Sequence, residues 1–483
     1  MHKTLGSSND PHEIKLLYLQ AKSIIANPED QSKLFSLKNK EAVAVETFVQ
    51  NLSNSQIHTV GPELIFGTLF DRIGFNIIED VLFRHFVISR IAYPTSKLKT
   101  IDYLKRYQGV DIDKNEIYRF LDKLQNKYKE IVEKVSYEHT MKVLKTLAIV
   151  FYDMTTLYFE AEDEDDLRKI GFSKDGKFQH PQILLGLLVG QGGYAIGYEI
   201  FEGNTFEGKT LIPILEKIQK KYGFEKPIVV ADAGLLSKSN INELMKADYT
   251  FIVGSRIKNE TDKLKSEILQ KSQGIKNGDN FTIEKDDGVH LIVEYSEKRA
   301  KKDFYNREKG LKKLRLKIKS GMLSKEHISN RGYNKFLSLT GKINVTIDEE
   351  KVNVDCKWDG LKGYVTNTLL SPNIVVNHYR DLWQIEKAFR ISKTDLRIRP
   401  IYHRIKPRIE AHICIVFVAY AIYKELERIL KENKCELSLK RASELTHNMY
   451  ELECILPGEV FPIKKLLKMD SEQQRLYDLI HKS

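Results

Sequence analysis

Three acidic residues of this chain stand where acids are costly. Asp153 interrupts the apolar run "VFYDMTT", Asp232 ends "PIVVAD", and Glu386 flanks the apolar stripe of "YRDLWQIEKAFRISK" (379–393). On one continuous helix at about 100° per residue, Leu382, Ile385 and Phe389 share a face, and Tyr379, Glu386 and Lys393 stack beside it. That spacing predicts a Glu386 partly buried between a phenol and an ammonium. Each acid also has an explanation without chemistry. Asp153 would take hydrogen bonds from Thr155 or Thr156, Asp232 would cap the next helix, and Glu386 would pair with Lys387 or Arg390. Together they suit another object. A buried unpaired carboxylate is expensive, and no histidine or thiol cluster lies near these acids in sequence. A hard divalent cation such as Mg²⁺ takes oxygen ligands and is completed by water and phosphates. Two such ions, about 4 Å apart, activate a nucleophile and stabilise the leaving oxygen of a phosphoryl transfer. Sequence spacing alone does not bring the three acids together.

The elements that must position them are legible in outline. Residues 1–140 read as helical, polar and Lys-rich, with Asp113 or Asn115 as a cap for "KNEIYRFLDKLQNKYKEIVEKVSYEHTMKVL". "LKTLAIVFYDMTTLYFE" (144–160) reads as a long buried strand. "ILLGLLVGQGGYAIGYEIFEG" (183–203) reads as two strands around a Gly-Gly turn, and "KTLIPILEKIQKKYG" (209–223) as an amphipathic helix stopped by Gly223. "KPIVVADAGLL" (226–236) and "YTFIVGSR" (249–256) supply two more strands. This alternation is an α/β core, spanning 141–256 in its first part. The rhythm stops over 257–362, which reads as a basic, strand-rich insertion. The core resumes over 363–432 with the glutamate helix, and 433–483 reads as a helical C-terminal region. Trp383 and His412 read as core residues.

Bulk composition narrows the function classes. The 483 residues carry a net charge of +11, which suits a polyanion such as nucleic acid, or an anionic membrane surface. Cys356, Cys414, Cys435 and Cys454 form no C-x-x-C pair and read as reduced thiols rather than a disulfide or zinc framework. The first residues, "MHKTLGSSNDPHE", hold no apolar signal core. "ICIVFVAYAIY" (413–423) is about half the length that spans a bilayer. A soluble, cytoplasmic, basic protein without membrane contact is the expectation.

Four segments carry a resemblance to the bacterial insertion-sequence DDE transposases, in particular the group with a Y-x2-R-x3-E-x6-K signature. "YRDLWQIEKAFRISK" matches that signature with Tyr379, Glu386 and Lys393, "YDMTTLYFE" resembles the first-acid strand, and "VVADAGLLS" resembles the second-acid motif. "EIFEGNTFEGKTL" and "LRIRPIYHRIKPRIEAHICIVFVAYAI" are also similar to segments of the group, so the resemblance runs from about residue 145 to 430. One position departs: Leu382 stands where the signature has arginine. The resemblance implies an RNase H-like fold, a mixed five-stranded sheet with flanking helices. A mostly β insertion would interrupt it, with a helical region before and helices after. It implies Asp153, Asp232 and Glu386 as catalytic metal ligands for two Mg²⁺ ions, with Mn²⁺ as a substitute. The expected reaction is cleavage at the element's ends and strand transfer into target DNA. The expected partners are terminal inverted repeats, target DNA and a second copy of the chain.

Expected DNA contacts follow from charge. Tyr379 and Lys393 would hold phosphates beside the scissile bond, and the contact of the arginine missing at Leu382 is either absent or supplied by Arg390 or Arg397. Residues 297–319 hold eleven Lys/Arg against three Asp/Glu, and within them Lys312, Lys313, Arg315 and Lys317 are candidates for backbone contact. "RIRPIYHRIKPR" (397–408) is a second basic run. Two other classes fit the same acids or the same charge: a nuclease of this fold without strand transfer, and a DNA-binding transposase remnant without catalysis.

Overall fold

The computed structural model describes the chain except residues 1–5, 27–39, 175, 224, 236, 324, 330–331, 341–343, 458 and 483. The expected end-binding region therefore includes stretches outside the described residues. A single large sheet organises the rest. Strands β1 (Ile149–Tyr158), β2 (Gln182–Gly190) and β3 (Ala195–Glu202) form an antiparallel meander. Gly192 and Gly193, at φ 73° and 82°, make the turn between β2 and β3. Strands β4 (Ile228–Ala231) and β5 (Phe251–Ser255) then run parallel to β1 and to each other. These are the five strands the resemblance implies, and the sheet continues past them. Strands β6 (Asn280–Glu284), β7 (His290–Tyr295) and β8 (Leu361–Thr366) extend it in the order β3-β2-β1-β4-β5-β8-β7-β6.

The helices that matter for position are α1 (Val81–Ala92), α2 (Lys97–Gln108), α3 (Leu211–Tyr222), α4 (Glu297–Lys319), α5 (Pro372–Arg380), α6 (Trp383–Thr394) and α7 (Lys406–Glu432). Side chains alternate along β1 and so feed two cores. Val150 and Tyr152 pack with Leu211, Ile214 and Leu215 of α3 on one face. Phe151 and Leu157 pack with Ile385 and Phe389 of α6 and with α7 on the other. Asp153 shares the parity of Phe151, so its side chain belongs to the face that α6 covers. The apolar run of α7 is core: Ile413 to Tyr420 are all buried, and the N-terminal helices pack on it. Arg408 Nε and Nη2 donate to Asp122 at 3.0 and 3.1 Å, tying it to the helix that Asp113 caps. No described helix is long and apolar enough to cross a membrane. All four cysteines are free.

Four local expectations fail, each for a physical reason. Residues 297–319 form one helix of 23 residues, because Leu311 and Leu314 give that charged run an apolar stripe. The stripe packs on a hairpin formed by Leu337–Thr340 and Asn344–Ile347. Further along the 257–362 stretch read as strand-rich, Glu349–Cys356 is a helix capped by Asp348. The C-terminal region is not all helical: Tyr450–Cys454 pairs with Ile57–Thr59 and with Ile463–Leu466. Finally, 379–393 is not one helix. The α-helical pattern breaks at Asp381 and Leu382 between α5 and α6, so the sevenfold stacking of Tyr379 on Glu386 does not exist.

Tyr379 is instead fixed by the sheet. Its ring packs on Tyr364 of β8, with centroids 4.8 Å apart, and its hydroxyl lies against Gly254 of β5, where a Cβ would collide with it. Gly254→Ala should lower stability by about 1–3 kcal/mol, measured by urea unfolding. An unchanged midpoint would show that Tyr379 is free to move aside.

Candidate active site

The register of the central strands places the first two acids together. β1 pairs in parallel with β4, with Tyr152 opposite Ala231. Asp153 and Asp232 each follow one of these two residues. They therefore lie on neighbouring chains, which in a sheet run about 4.8 Å apart. β4 ends at Ala231 while β1 continues, so Asp232 is released into a turn just outside a strand's carboxyl end. That is where ligands collect in open α/β sheets.

Each carboxylate meets a different environment. Asp153 Oδ1 accepts from the Met154 backbone N–H at 2.7 Å and faces the Lys174 ammonium at 3.6 Å, and neither Thr155 nor Thr156 is among the donors found on it. Burial pushes its pKa up, Lys174 pulls it down, and Asp232 and Glu207 push it up again by repulsion. Asp232 is exposed, and its Oδ1 accepts from the Ala233 N–H at 2.6 Å and from the Tyr379 hydroxyl at 3.1 Å. It does not cap the following α-helix, whose cap is Ser237. The Tyr379 phenol is raised by burial first, then by Asp232 and Glu386, so it stays protonated and donates.

Glu386 is exposed rather than half-buried. Its neighbour Lys387 turns inward to Glu427 of α7, which also pairs with Lys424. Burial opposes charge on Glu427, yet these two ammonium groups hold its pKa down at about 2. Positions i and i+1 point about 100° apart on a helix, so anchoring Lys387 turns Glu386 outward and removes Lys387 as its pair. Electrostatic reach still links Glu386 to Tyr379 and to Lys362.

Two lysines and a fourth acid join this site without having been singled out in the sequence. Lys174 bridges Asp153 and Glu207, the latter at 3.1 Å. Lys362 of β8 sits 4.3 Å from the centre of the Tyr379 ring. Burial and then Arg299 lower the Lys362 pKa, while Asp232, Glu294 and Glu386 raise it. Each comes from a turn or strand end whose approach depends on chain folding, which no spacing rule reveals. Trp383, expected in the core, is 51% exposed, one helical turn from Glu386.

The other candidates scatter. Arg390 is exposed on α6, and Lys393 is half-buried one turn further on. Arg380 pairs with the buried Glu294 of β7, so it does not replace the signature arginine either. Arg397 lies in left-handed backbone (φ 45°) and lines a separate cleft with Arg399 and His403. Lys312, Lys313, Arg315 and Lys317 are all exposed along α4, and Arg315 approaches Glu349 at 3.8 Å.

The donor set is oxygen only, which fits a hard divalent cation. Among the described residues no three carboxylate, imidazole or thiol groups already enclose a single ion position. Asp153 and Asp232 form the near side of the site, and Glu386 stands at its rim. An excess of negative charge is held there by the Lys174 ammonium, the kind of charge a metal would supply.

The description "transposase DDE domain" fits residues 144–422 by comparison with family models, more than half of the chain. None of the curated proteins matches it. Among solved structures, a piggyBac transposase synaptic complex with hairpin DNA aligns over 80% of this chain and 78% of that one. The identity is 10% and the TM-score 0.40, a likeness too loose to bear on mechanism.

The raised pKa of Asp153 has a consequence for stability. A carboxyl whose folded pKa exceeds its ordinary 3.8 favours the fold while protonated, and that advantage is lost as pH rises through the folded value. Charged Asp153 therefore costs stability at neutral pH in the absence of metal. Asp153→Asn should raise the melting temperature at neutral pH, and the gain should shrink towards zero as pH falls to 3.8. No gain at neutral pH would mean that Lys174 fully offsets burial.

Proposed function

The chain belongs to the DDE-domain transposase family of metal-dependent, DNA-recombining enzymes, and we propose that Asp153, Asp232 and Glu386 are its catalytic acids. The observation that carries this reading is the β1–β4 register, which sets two carboxylates side by side at the sheet's carboxyl edge. The fold then brings α6 and Glu386 over the same face. The proposed cofactor is a pair of Mg²⁺ ions held by the three acids, with Mn²⁺ as a substitute. When bound, it supplies the charge that activates the attacking oxygen and stabilises the leaving one.

The chain's own residues do the positioning. Tyr379 donates to Asp232 Oδ1 and fixes the carboxylate's orientation, leaving its other oxygen open. Lys174 keeps Asp153 and Glu207 from repelling each other while the site is empty of DNA. Lys362 and Lys393 would meet phosphates flanking the cleaved bond, as point charges. In the proposed reaction water breaks one P–O bond at each end of the element and frees a 3′-OH. That 3′-OH then attacks a target phosphodiester, forming one P–O bond as another breaks, with the proton passing to solvent.

The proposed substrates are terminal inverted repeats and target DNA, with a homodimer pairing two ends. Residues 1–140 would read those ends, ahead of a catalytic domain split into 141–256 and 363–432 around the 257–362 insertion and followed by 433–483. The exposed cations of α4 would grip the DNA backbone, a contact that positions without specifying and weakens steeply with salt. A cytoplasmic, DNA-associated location goes with this reading.

The test is excision in cells of a marker flanked by the repeats that bound this gene, with DNA binding measured on the purified protein. Glu386→Gln should keep its DNA affinity and lose cleavage by about a hundredfold or more. Full excision by that variant would remove Glu386 from the site. Cleavage without joining by the intact protein would make it a nuclease, and binding without cleavage a remnant.

A further inference from the structure

We propose that the chain carries a second anion site, a basic cleft between the N-terminal helices and the segment after α6, which takes a phosphate of a DNA strand. The cleft encloses about 660 Å³ and is lined by Arg90 of α1, Lys97 of α2, Arg397, Arg399, His403 and His412, among others. Among the described residues, none that lines it is acidic. Arg90 and Lys97 are only 4% and 6% exposed, and neither Arg90 Nε nor Lys97 Nζ has a hydrogen-bond partner among the described residues. The contact found for the Lys97 ammonium is the Phe86 ring, 5.5 Å from its centre. Two buried cations without a counter-charge among the described residues are costly to keep, and such a site is built for something negative.

The electrostatics point the same way on every element packed there. Burial pushes Arg90 down to about 10 and lowers Lys97, which Arg90 lowers further. His403 falls to about 4 through burial, then Lys97, Arg408 and Arg90. His412 is lowered by burial, Lys97, Arg90 and His403, and its Nε2 donates to the Ile398 carbonyl at 2.9 Å. α2 also begins in the cleft, capped by Ser96, so its first-turn N–H groups add a positive end. The volume lies within the range of small-molecule pockets and exceeds what one free phosphate fills, which favours a backbone segment.

Its place in the fold relates it to the acids. Ile401 bridges to Phe159, and the Arg399 guanidinium lies 5.8 Å from the centre of the Tyr158 ring. Tyr158 is five residues beyond Asp153 on β1, roughly 17 Å at the rise of a strand. A DNA strand advances about 3.4 Å per nucleotide, so one with its reacting phosphate at the acids and running along β1 would bring a phosphate about five nucleotides away to the Arg399 side of the cleft. The DNA assignment rests on the transposase reading; the anion site does not.

The test uses the full chain without divalent metal. Lys97→Met keeps the side chain's length and removes its charge. Inorganic phosphate at fixed ionic strength should raise the melting temperature of the wild type and not of Lys97→Met, which should itself melt higher in phosphate-free buffer. The slope of log affinity for duplex DNA against log salt should be shallower by about one in the variant. Phosphate that shifts both proteins equally, or neither, overturns the site. A phosphate response with unchanged DNA affinity and slope overturns the DNA assignment and leaves a site for free phosphate. Arg397→Ala, exposed at the rim, carries the same readouts if Lys97→Met fails to fold. Neither readout involves cleavage, so the Glu386→Gln result stands or falls separately.

Discussion

Two carboxylates, one on β1 and one just past the end of its parallel neighbour β4, repel each other, and the centre of this structure is arranged around that repulsion. The pairing of Tyr152 with Ala231 fixes where Asp153 and Asp232 stand. Hydrophobic burial of β1 and β4 fixes the pairing, since Val150, Phe151, Tyr152, Val229, Val230 and Ala231 are all fully buried. Asp153 cannot leave without unpairing β1, so compensation comes from around it. Lys174 supplies an ammonium, the Met154 amide and the Tyr379 hydroxyl supply hydrogen bonds, and Lys362 supplies a more distant charge. A lysine can neutralise such a pair but cannot coordinate it. On the proposed reading, the divalent ions complete what Lys174 only balances.

The third acid reaches the site by a different route. Had 379–393 been one helix, Tyr379 and Glu386 would have shared a stripe and competed for one environment. The break at Asp381 and Leu382 lets α5 seat Tyr379 on Gly254 while α6 lies across β1. The Lys387–Glu427 pair then sets the rotation of α6, leaving Glu386 in solvent at the rim. On the proposed reading, the exposure of Glu386 and Asp232, against the half-burial of Asp153, would give one fixed ligand and two accessible ones. That suits a site that must admit DNA and its ions together.

The strands were legible because apolar and aromatic runs carry a strong signal: β1, β4 and β5 fall within the segments read from the sequence, and the β2–β3 hairpin starts one residue ahead of its segment. Asp113 was legible as a cap for the same local reason. What was not legible depended on long-range contact. "YELEC" alternates over only five residues and "IKKL" does not alternate at all, so neither announced strands that form by pairing with each other and with Ile57–Thr59. The apolar stripe of α4 was hidden under eleven cations. Lys174, Glu207 and Lys362 approach the acids only through turns and sheet order. Nothing in the sequence marks Arg90 and Lys97, which only folding buries in one cleft with Arg397 and His403.

The most direct measurement is Mn²⁺ binding to the purified chain, followed by electron paramagnetic resonance, for the wild type and for Asp153→Asn, Asp232→Asn and Glu386→Gln. With all three acids as ligands of one metal site, each variant binds Mn²⁺ more weakly, and duplex DNA tightens binding to the wild type by completing the coordination with phosphate. Equal Mn²⁺ affinity in wild type and Glu386→Gln, with and without DNA, would contradict the account: α6 would then be a packing helix whose glutamate takes no part in the site.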